Sequence, residues 1–298
     1  MKVVELQNGI QVTDVQDFDL AQTLDCGQCF RWEQLEEGCY RGVVRGKIAT
    51  IYCQSGDSNC DQSSNPRFFF EGVSRAEFDE IWRTYFDFDR DYSAIKLSFC
   101  DDIHLSKATF FAPGIHILKQ EPWEALCSFI ISSNNNIPRI KGIIKRLCEC
   151  FGDEIQEGIF SFPSPAILAA LEVPDMEPLR AGFRAKYILD AARKVSSGLV
   201  DLEALSLMAI DDARASLCTI KGVGAKVAEC TLLFGCGRVE AFPIDVWIKR
   251  VLDTLYPDGF PQEFANCAGI AQQYLFHYAR CAPRTGDSVD ETASVFVE

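Results

Sequence analysis

Up to about residue 73 apolar and polar positions alternate, the two-residue period of half-buried strands. Val3-Val4-Glu5-Leu6 and Ile10-Gln11-Val12 flank the turn signal Asn8-Gly9, and Tyr40 to Tyr52 alternates across Gly46-Lys47 as a hairpin does. Residues 54–66 form a polar loop without an apolar anchor, after which Arg67 to Phe70 resumes an apolar run. Ala76 to Phe86 sets Phe78, Ile81, Trp82, Tyr85 and Phe86 at helical spacing. Beyond about residue 98 apolar residues recur at three and four. Trp123 to Ile131 predicts a helix stopped at Ser132-Ser133-Asn134-Asn135-Asn136, and Pro138 suits the first turn of the next, which runs to Phe151-Gly152. After breaks at Pro163-Ser164-Pro165 and Pro174, further helices are expected over 187–197, 203–219, 225–235, 246–255 and about 265–281. The pattern therefore predicts an α+β chain: an N-terminal antiparallel β-sheet domain over 1–97, an all-α domain over 98–284 and an acidic tail over 285–298.

Composition narrows the class. The 298 residues are 48% hydrophobic and 24% charged, ordinary for a soluble protein, which excludes a disordered, collagen-like or disulfide-miniprotein chain. No apolar run approaches the ~20 residues that span a bilayer, and the first residues lack a signal-peptide core, so an intracellular, cytoplasmic setting without membrane is expected. The fourteen cysteines then read as free thiols, most of them small buried hydrophobes. Cys26-Gly27-Gln28-Cys29 is a CxxC without a second pair, and His104, His116 and His277 share no motif spacing, so no metal held by side chains is expected. The net charge of −14 argues against a nucleic-acid partner until its distribution is read. Acid dominates the ends. Two basic islands lie between, one with Arg139, Lys141, Lys145 and Arg146, the other with Arg180, Arg184, Lys186, Arg193 and Lys194. They are either solvated helix faces or a binding face.

Residues Leu217 to Glu229 carry the chemistry. A helix ends, a tight turn holds Gly222 and Gly224, and a second helix opens at Ala225. Its free amides and dipole suit one phosphate of a DNA strand. An ordinary turn between helices reads the same way. Lys226 stands in the first turn, where a cation opposes the helix dipole, so helix stability does not explain it. It is either a phosphate-contacting lysine or an amine nucleophile, which must be neutral to attack. Phe242-Pro243-Ile244-Asp245 follows, with Asp245 placed as a helix N-cap and, compatibly, as a catalytic carboxylate for N-glycosidic cleavage.

With these parts in order, the chain resembles the 8-oxoguanine DNA glycosylase/lyase family of the helix-hairpin-helix superfamily. Matching stretches are Cys26 to Trp32, Ser132 to Arg139, Gly182 to Tyr187, Lys221 to Cys230, Pro243 to Asp245, and Ala268 to Phe276. The resemblance implies a sheet like that of the TATA-binding protein and a duplex DNA partner containing oxidised guanine. Lys226 would attack C1′, displace the base and form a Schiff base that nicks the strand by β-elimination, with Asp245 stabilising the charged intermediate. The Gly27 carbonyl would accept the N7 hydrogen that 8-oxoguanine has and guanine lacks. Cys230 and Phe276 would sandwich the extruded base, and Gln272 would bind its Watson–Crick edge. Asn134 would fill the vacated stack, while Arg139 and Arg184 would read the orphaned cytosine and Gly222 and Gly224 would meet a phosphate. No cofactor is required, though the backbone carbonyls of Cys218, Ile220 and Val223 would hold a monovalent or calcium ion. A monomer is expected.

Without the resemblance, Cys230 and Phe276 read as core, Gly27 as a turn, Asn134 as a helix C-cap and the arginines as solvated cations. Two positions depart from the family pattern. Trp247 stands where animal members carry a histidine that meets a phosphate, and Phe183 replaces a wedging tyrosine. An indole cannot become cationic, and the phenyl ring keeps stacking but loses the hydroxyl. Both departures bear on stringency for the opposite base and suggest a bacterial-type branch. The alternatives are a glycosylase for an alkylated base or a formamidopyrimidine, and a non-catalytic DNA-binding protein using the hairpin alone.

Overall fold

The structure, a computed structural model, describes residues 1–54 and 66–282. Most of the polar loop expected at 54–66, and the whole acidic tail of 285–298, lie outside the described residues. Six strands, β1 (Lys2–Leu6), β2 (Gly9–Thr13), β3 (Trp32–Glu36), β4 (Cys39–Val44), β5 (Lys47–Gln54) and β6 (Arg67–Glu71), form one antiparallel sheet in the order β1-β2-β6-β5-β4-β3. The alternation that marked these strands becomes burial on one face. Ile10 pairs with Phe70 and Phe70 with Ile51, all three inaccessible or nearly so. They pack against Phe78, Trp82 and Phe86 of a helical segment over 75–85 and the turn after it, whose Phe78–Trp82 portion takes the wider π-helical turn. The β4–β5 hairpin turns at Arg45-Gly46, both with positive φ, as a two-residue turn matched to strand twist requires.

Seven helices build the second layer around the site: α1 (Pro122–Ser132), α2 (Ile137–Phe151), α3 (Arg184–Ser196), α4 (Ile210–Cys218), α5 (Ala225–Phe234), α6 (Val246–Leu255) and α7 (Ala268–Cys281). The helix expected over 187–197 begins earlier, at Arg184, and two other expected helices change more. The helix expected over 203–219 is divided: the Asp201 carboxylate accepts the Glu203 and Ala204 N–H groups and forms a separate short turn, and extended backbone at Ala209 then resets the chain before α4. The helix expected from 265 begins as a 3₁₀ turn over Gln262–Cys267 and becomes α7 at Ala268. A small hairpin, Glu154–Gln156 with Ile159–Phe160, falls in a stretch with no strand signal. All described cysteines are free, as expected, but Cys100, Cys150, Cys218 and Cys281 are exposed rather than buried. Burial pushes the Cys148 thiol up to about 12, so it stays protonated.

The two layers are laced by one stretch, residues 114–120. Thr23 donates to the Gly114 carbonyl at 3.0 Å and accepts the His116 N–H at 3.1 Å. The buried Gln28 side chain donates to the carbonyls of Thr23 and His116 at 2.9 and 2.8 Å and accepts the Leu118 N–H at 2.9 Å. Gln120 returns a bond to the Gln28 carbonyl at 2.7 Å. A buried polar group left unpaired costs about 1–3 kcal/mol, so this satisfied set fixes the seam closely. Gly27 sits in its middle.

Candidate active site

The hairpin runs from α4 through Thr219–Gly224 into α5. Gly222 takes φ +81, and a Cβ there would stand 2.2 Å from the Tyr187 ring, so the turn closes only with glycine. Gly224 caps α5 with φ −106 and open space around it. Its glycine leaves room for an approaching backbone, and the first amides of α5 have no partner within the helix. Asp190 anchors the loop by accepting the Lys221 N–H at 2.8 Å while pairing with Lys194 at 3.0 Å. Beside the turn lies a cleft of about 550 Å³ lined by Lys186, Tyr187, Asp190, Arg193, Lys221 and Gly222. At the bend, the Ile220 carbonyl accepts the Val223 N–H at 3.1 Å, which leaves one of its lone pairs open. The carbonyls of Cys218, Ile220 and Val223 are hard oxygen donors, the donor type that a monovalent or calcium ion takes. Among the described residues no group of three or more His, Cys, Asp or Glu side chains could hold a metal.

Lys226 lies in the first turn of α5, half-buried. Its Nζ donates to Ser132 Oγ at 3.0 Å and stands 5.2 Å from the centre of the Phe129 ring. One turn further, Cys230 is 3% exposed, and burial pushes its thiol up to about 11. The Lys226 ammonium opposes that rise and the Asp245 carboxylate adds to it, so both charges act on the same sulfur. Asp245 caps α6, its Oδ1 accepting the Ile248 N–H at 2.9 Å. Glu229 holds these two elements together. Its carboxylate accepts from Arg214 on α4 and takes the Phe242 N–H at 2.7 Å, three residues before Asp245. The helix that carries the amine thereby grips the loop that carries the acid.

Gly27, with φ +88, faces α7. A Cβ at Gly27 would lie 3.5 Å from Cε1 of Phe276 and 3.2 Å from Nη1 of Arg280. The carbonyls on either side of Gly27 are occupied, Cys26 by the Gln273 amide at 3.0 Å and Gln28 by Gln120. Among the described residues no donor bonds the Gly27 carbonyl. Gln272 is 4% exposed, and its Oε1 has no partner there either. Buried acceptors are almost always paired, which makes this oxygen a candidate ligand contact. Gln272 and Phe276 are one turn apart on one face of α7.

The residues expected at the opposite strand cluster at the end of α1. Asn134 is exposed with φ +50, the left-handed conformation that asparagine tolerates. Arg139 is exposed in the first turn of α2, and Phe183 is 48% exposed. Arg184 differs from the expectation. It is 1% exposed, and its guanidinium donates to the carbonyls of Ser133, Asn134 and Ala181 at 2.6 to 3.3 Å while lying 4.4 Å from the Phe183 ring. Burial and the nearby Arg139 charge lower its pKa. Its geometry is that of a brace for the Asn134 turn rather than of a free reader. Much of the basic islands behaves alike: Lys141 donates to the Trp32 carbonyl, Arg146 to that of Leu179 and Arg193 to that of Leu171. Arg180 and Lys186, like Arg139, stay exposed. Trp247 is half-buried on α6, with the Arg250 guanidinium 5.7 Å from its ring.

The comparisons with known proteins agree with this geometry. Residues 10–126 match the 8-oxoguanine DNA glycosylase N-terminal domain, and 127–260 match the HhH-GPD superfamily of base-excision DNA repair proteins. A structure of MBOgg1 with a low-affinity DNA ligand is 40% identical, with TM-score 0.86, covering 94% of this chain and 98% of that one. The chain belongs to the 8-oxoguanine DNA glycosylase family, within the HhH-GPD superfamily. The 8-oxoguanine glycosylase/lyase of Clostridium acetobutylicum, bound to duplex DNA with cytosine opposite 8-oxoguanine, is 35% identical with TM-score 0.85, covering 94% and 98% of the two chains. A probable N-glycosylase/DNA lyase of Methanothermobacter thermautotrophicus is 28% identical over 89% of this chain and 95% of its own length. Sequence reasoning missed Ser132 and Phe129 beside the Lys226 amine, Glu229 between α5 and the loop before Asp245, and Arg280 beside Phe276. Glu229 had a signal, an acid in the mostly apolar run that follows Lys226 in α5; the others became visible only through contacts between distant segments.

Proposed function

We propose that this chain is a bifunctional DNA glycosylase/lyase that removes 8-oxoguanine from duplex DNA and nicks the strand, with Lys226 as the nucleophile. The observation that carries this reading is the placement of the Lys226 amine at the mouth of the hairpin, held by Ser132 and one turn from Cys230, with Asp245 close enough to act on the same sulfur. The extruded nucleotide enters between Cys230 and Phe276. The Gly27 carbonyl accepts N7–H, and the open Gln272 Oε1 accepts from the Watson–Crick edge. Guanine turns a lone pair toward the Gly27 carbonyl instead and is repelled. Extrusion costs a few kcal/mol, which the pocket contacts and Asn134 in the vacated stack offset.

In its neutral form Lys226 attacks C1′. The N9–C1′ bond breaks, and its electron pair leaves with the base, which takes up a proton. Asp245 stabilises the cationic sugar as that charge develops. The attached nitrogen then opens the ring: its lone pair forms C=N as the C1′–O4′ bond breaks, O4′ takes up a proton released from the amine, and loss of a C2′ proton from this Schiff base breaks the C3′–O bond and expels the 3′ phosphate. Arg139 and Phe183 meet the orphaned cytosine, with Arg184 bracing the turn between them. Arg250, lying over Trp247, supplies the cation that the indole lacks. An ion on the hairpin carbonyls is structural, and no step depends on it. The test is borohydride trapping on 8-oxoguanine duplexes: the native chain becomes covalently linked to DNA, whereas Lys226→Gln keeps lesion binding and traps nothing. Trapping by the variant would remove Lys226 from the mechanism.

A further inference from the structure

Gln272, Phe276 and Arg280 follow one another at intervals of four along α7, so they form one stripe on one helix face. Exposure rises along the stripe, from 4% at Gln272, through half-buried Phe276, to exposed Arg280. The Arg280 guanidinium carbon lies 5.2 Å from the centre of the Phe276 ring, a cation–π contact that holds the head group over the ring's surroundings. Its Nη1 is 3.2 Å from the point where a Cβ on Gly27 would stand. The guanidinium is therefore on the Gly27 side of the aromatic platform, and Gln272, with its unpartnered Oε1, lies one turn before Phe276 on the helix as Arg280 lies one turn after it.

A purine stacked on Phe276 with its Watson–Crick edge toward Gln272 turns its imidazole edge toward Gly27 and Arg280. In 8-oxoguanine that edge presents a donor, N7–H, next to an acceptor, the C8 carbonyl. The protein presents the complement, an acceptor in the Gly27 carbonyl next to a donor in Arg280. Guanine presents C8–H, which offers the guanidinium nothing. Resting on the assignment of the pocket to 8-oxoguanine, we propose that Arg280 donates a hydrogen bond to O8 of the extruded base and is a specificity-determining residue for the lesion. The pocket then senses both atoms that oxidation changes, N7 through a backbone acceptor and O8 through a side-chain cation. The stacking on Phe276 positions the cation before the base arrives, which lowers the ordering cost of the contact.

The test measures affinity for duplexes carrying 8-oxoguanine or guanine opposite cytosine, in a Lys226→Gln background at several salt concentrations. Arg280→Met keeps an unbranched chain over Phe276 and removes the donors. The expected result is a loss of about tenfold in affinity for the lesion duplex with guanine binding unchanged, partly restored by Arg280→Lys, the order expected for one hydrogen bond to a charged donor. Equal weakening of both duplexes with a shallower salt dependence would make Arg280 a phosphate contact and overturn the proposal. An unchanged preference would also overturn it. A Lys226→Gln parent with no preference for 8-oxoguanine would instead overturn the assignment of the pocket, and this inference with it.

Discussion

Asp245 caps a helix and is the carboxylate proposed for catalysis, and one substitution separates the two roles. Asparagine caps as well as aspartate, so Asp245→Asn keeps the bond to the Ile248 N–H and leaves unfolding free energy within about 0.5 kcal/mol. It cannot stabilise the sugar cation as a charge does, and single-turnover excision should fall by roughly 10² to 10³. Wild-type excision by the variant would leave Asp245 as a cap only. At this scale the sequence was legible where chemistry demands a residue type. Lys226 is unexplained by helix stability, and Asp245 follows a proline-bearing loop, so both stood out. Arg184 did not, because a buried guanidinium donating to three carbonyls and a solvated one look the same in a string of letters. Ser132 was in a quoted motif, but its bond to Lys226 joins segments that only the tertiary fold brings together.

Among the elements, the hairpin shows two glycines with different causes. Gly222 is required by the fold: alanine there would collide with the Tyr187 ring in a left-handed backbone position. Gly224 is unstrained and faces open space. Gly222→Ala should lower stability by about 2 kcal/mol or more, as overpacking and a positive φ both count against it. Gly224→Ala should cost well under about 1 kcal/mol yet weaken binding to duplex DNA severalfold, because its methyl group meets the phosphate. Urea denaturation and a binding titration check the pair, and equal stability losses would show that Gly224 also serves packing. Strand alternation and helix punctuation made the main elements readable. The divided helix before α4 was not, since Asp201 captures backbone amides through a local turn that periodicity does not register. The π-helical turn at Phe78–Trp82 escaped for a related reason, its apolar spacing being compatible with an ordinary helix.

For the whole molecule, the seam between sheet and helices carries a buried histidine and the proposed recognition glycine together. His116, 1% exposed, stacks on Tyr92 with ring centres 3.9 Å apart and bonds the Phe86 carbonyl through Nδ1 at 3.0 Å. Burial lowers its pKa from 6.5 to about 4. The folded chain thus holds fewer protons than the unfolded one between these values. The stabilising contribution is full above pH 6.5 and is lost as pH falls toward 4, on the order of 3 kcal/mol. Urea midpoints should decline across that window, and His116→Gln should flatten the decline; equal slopes would assign the acid sensitivity to other groups. The overall charge of −14 was a poor guide to the partner, since many of the central cations bind internal carbonyls and only a few exposed ones remain to meet DNA. Gly27 itself belongs to neither layer. Its two neighbouring carbonyls are tethered by glutamines from different segments, Gln120 from the lacing stretch and Gln273 from α7. A chimaera that took its sheet from one relative and its helices from another would therefore misplace that single oxygen and, on the role proposed for Gly27, would lose the ability to tell damaged from intact guanine well before it lost the ability to fold.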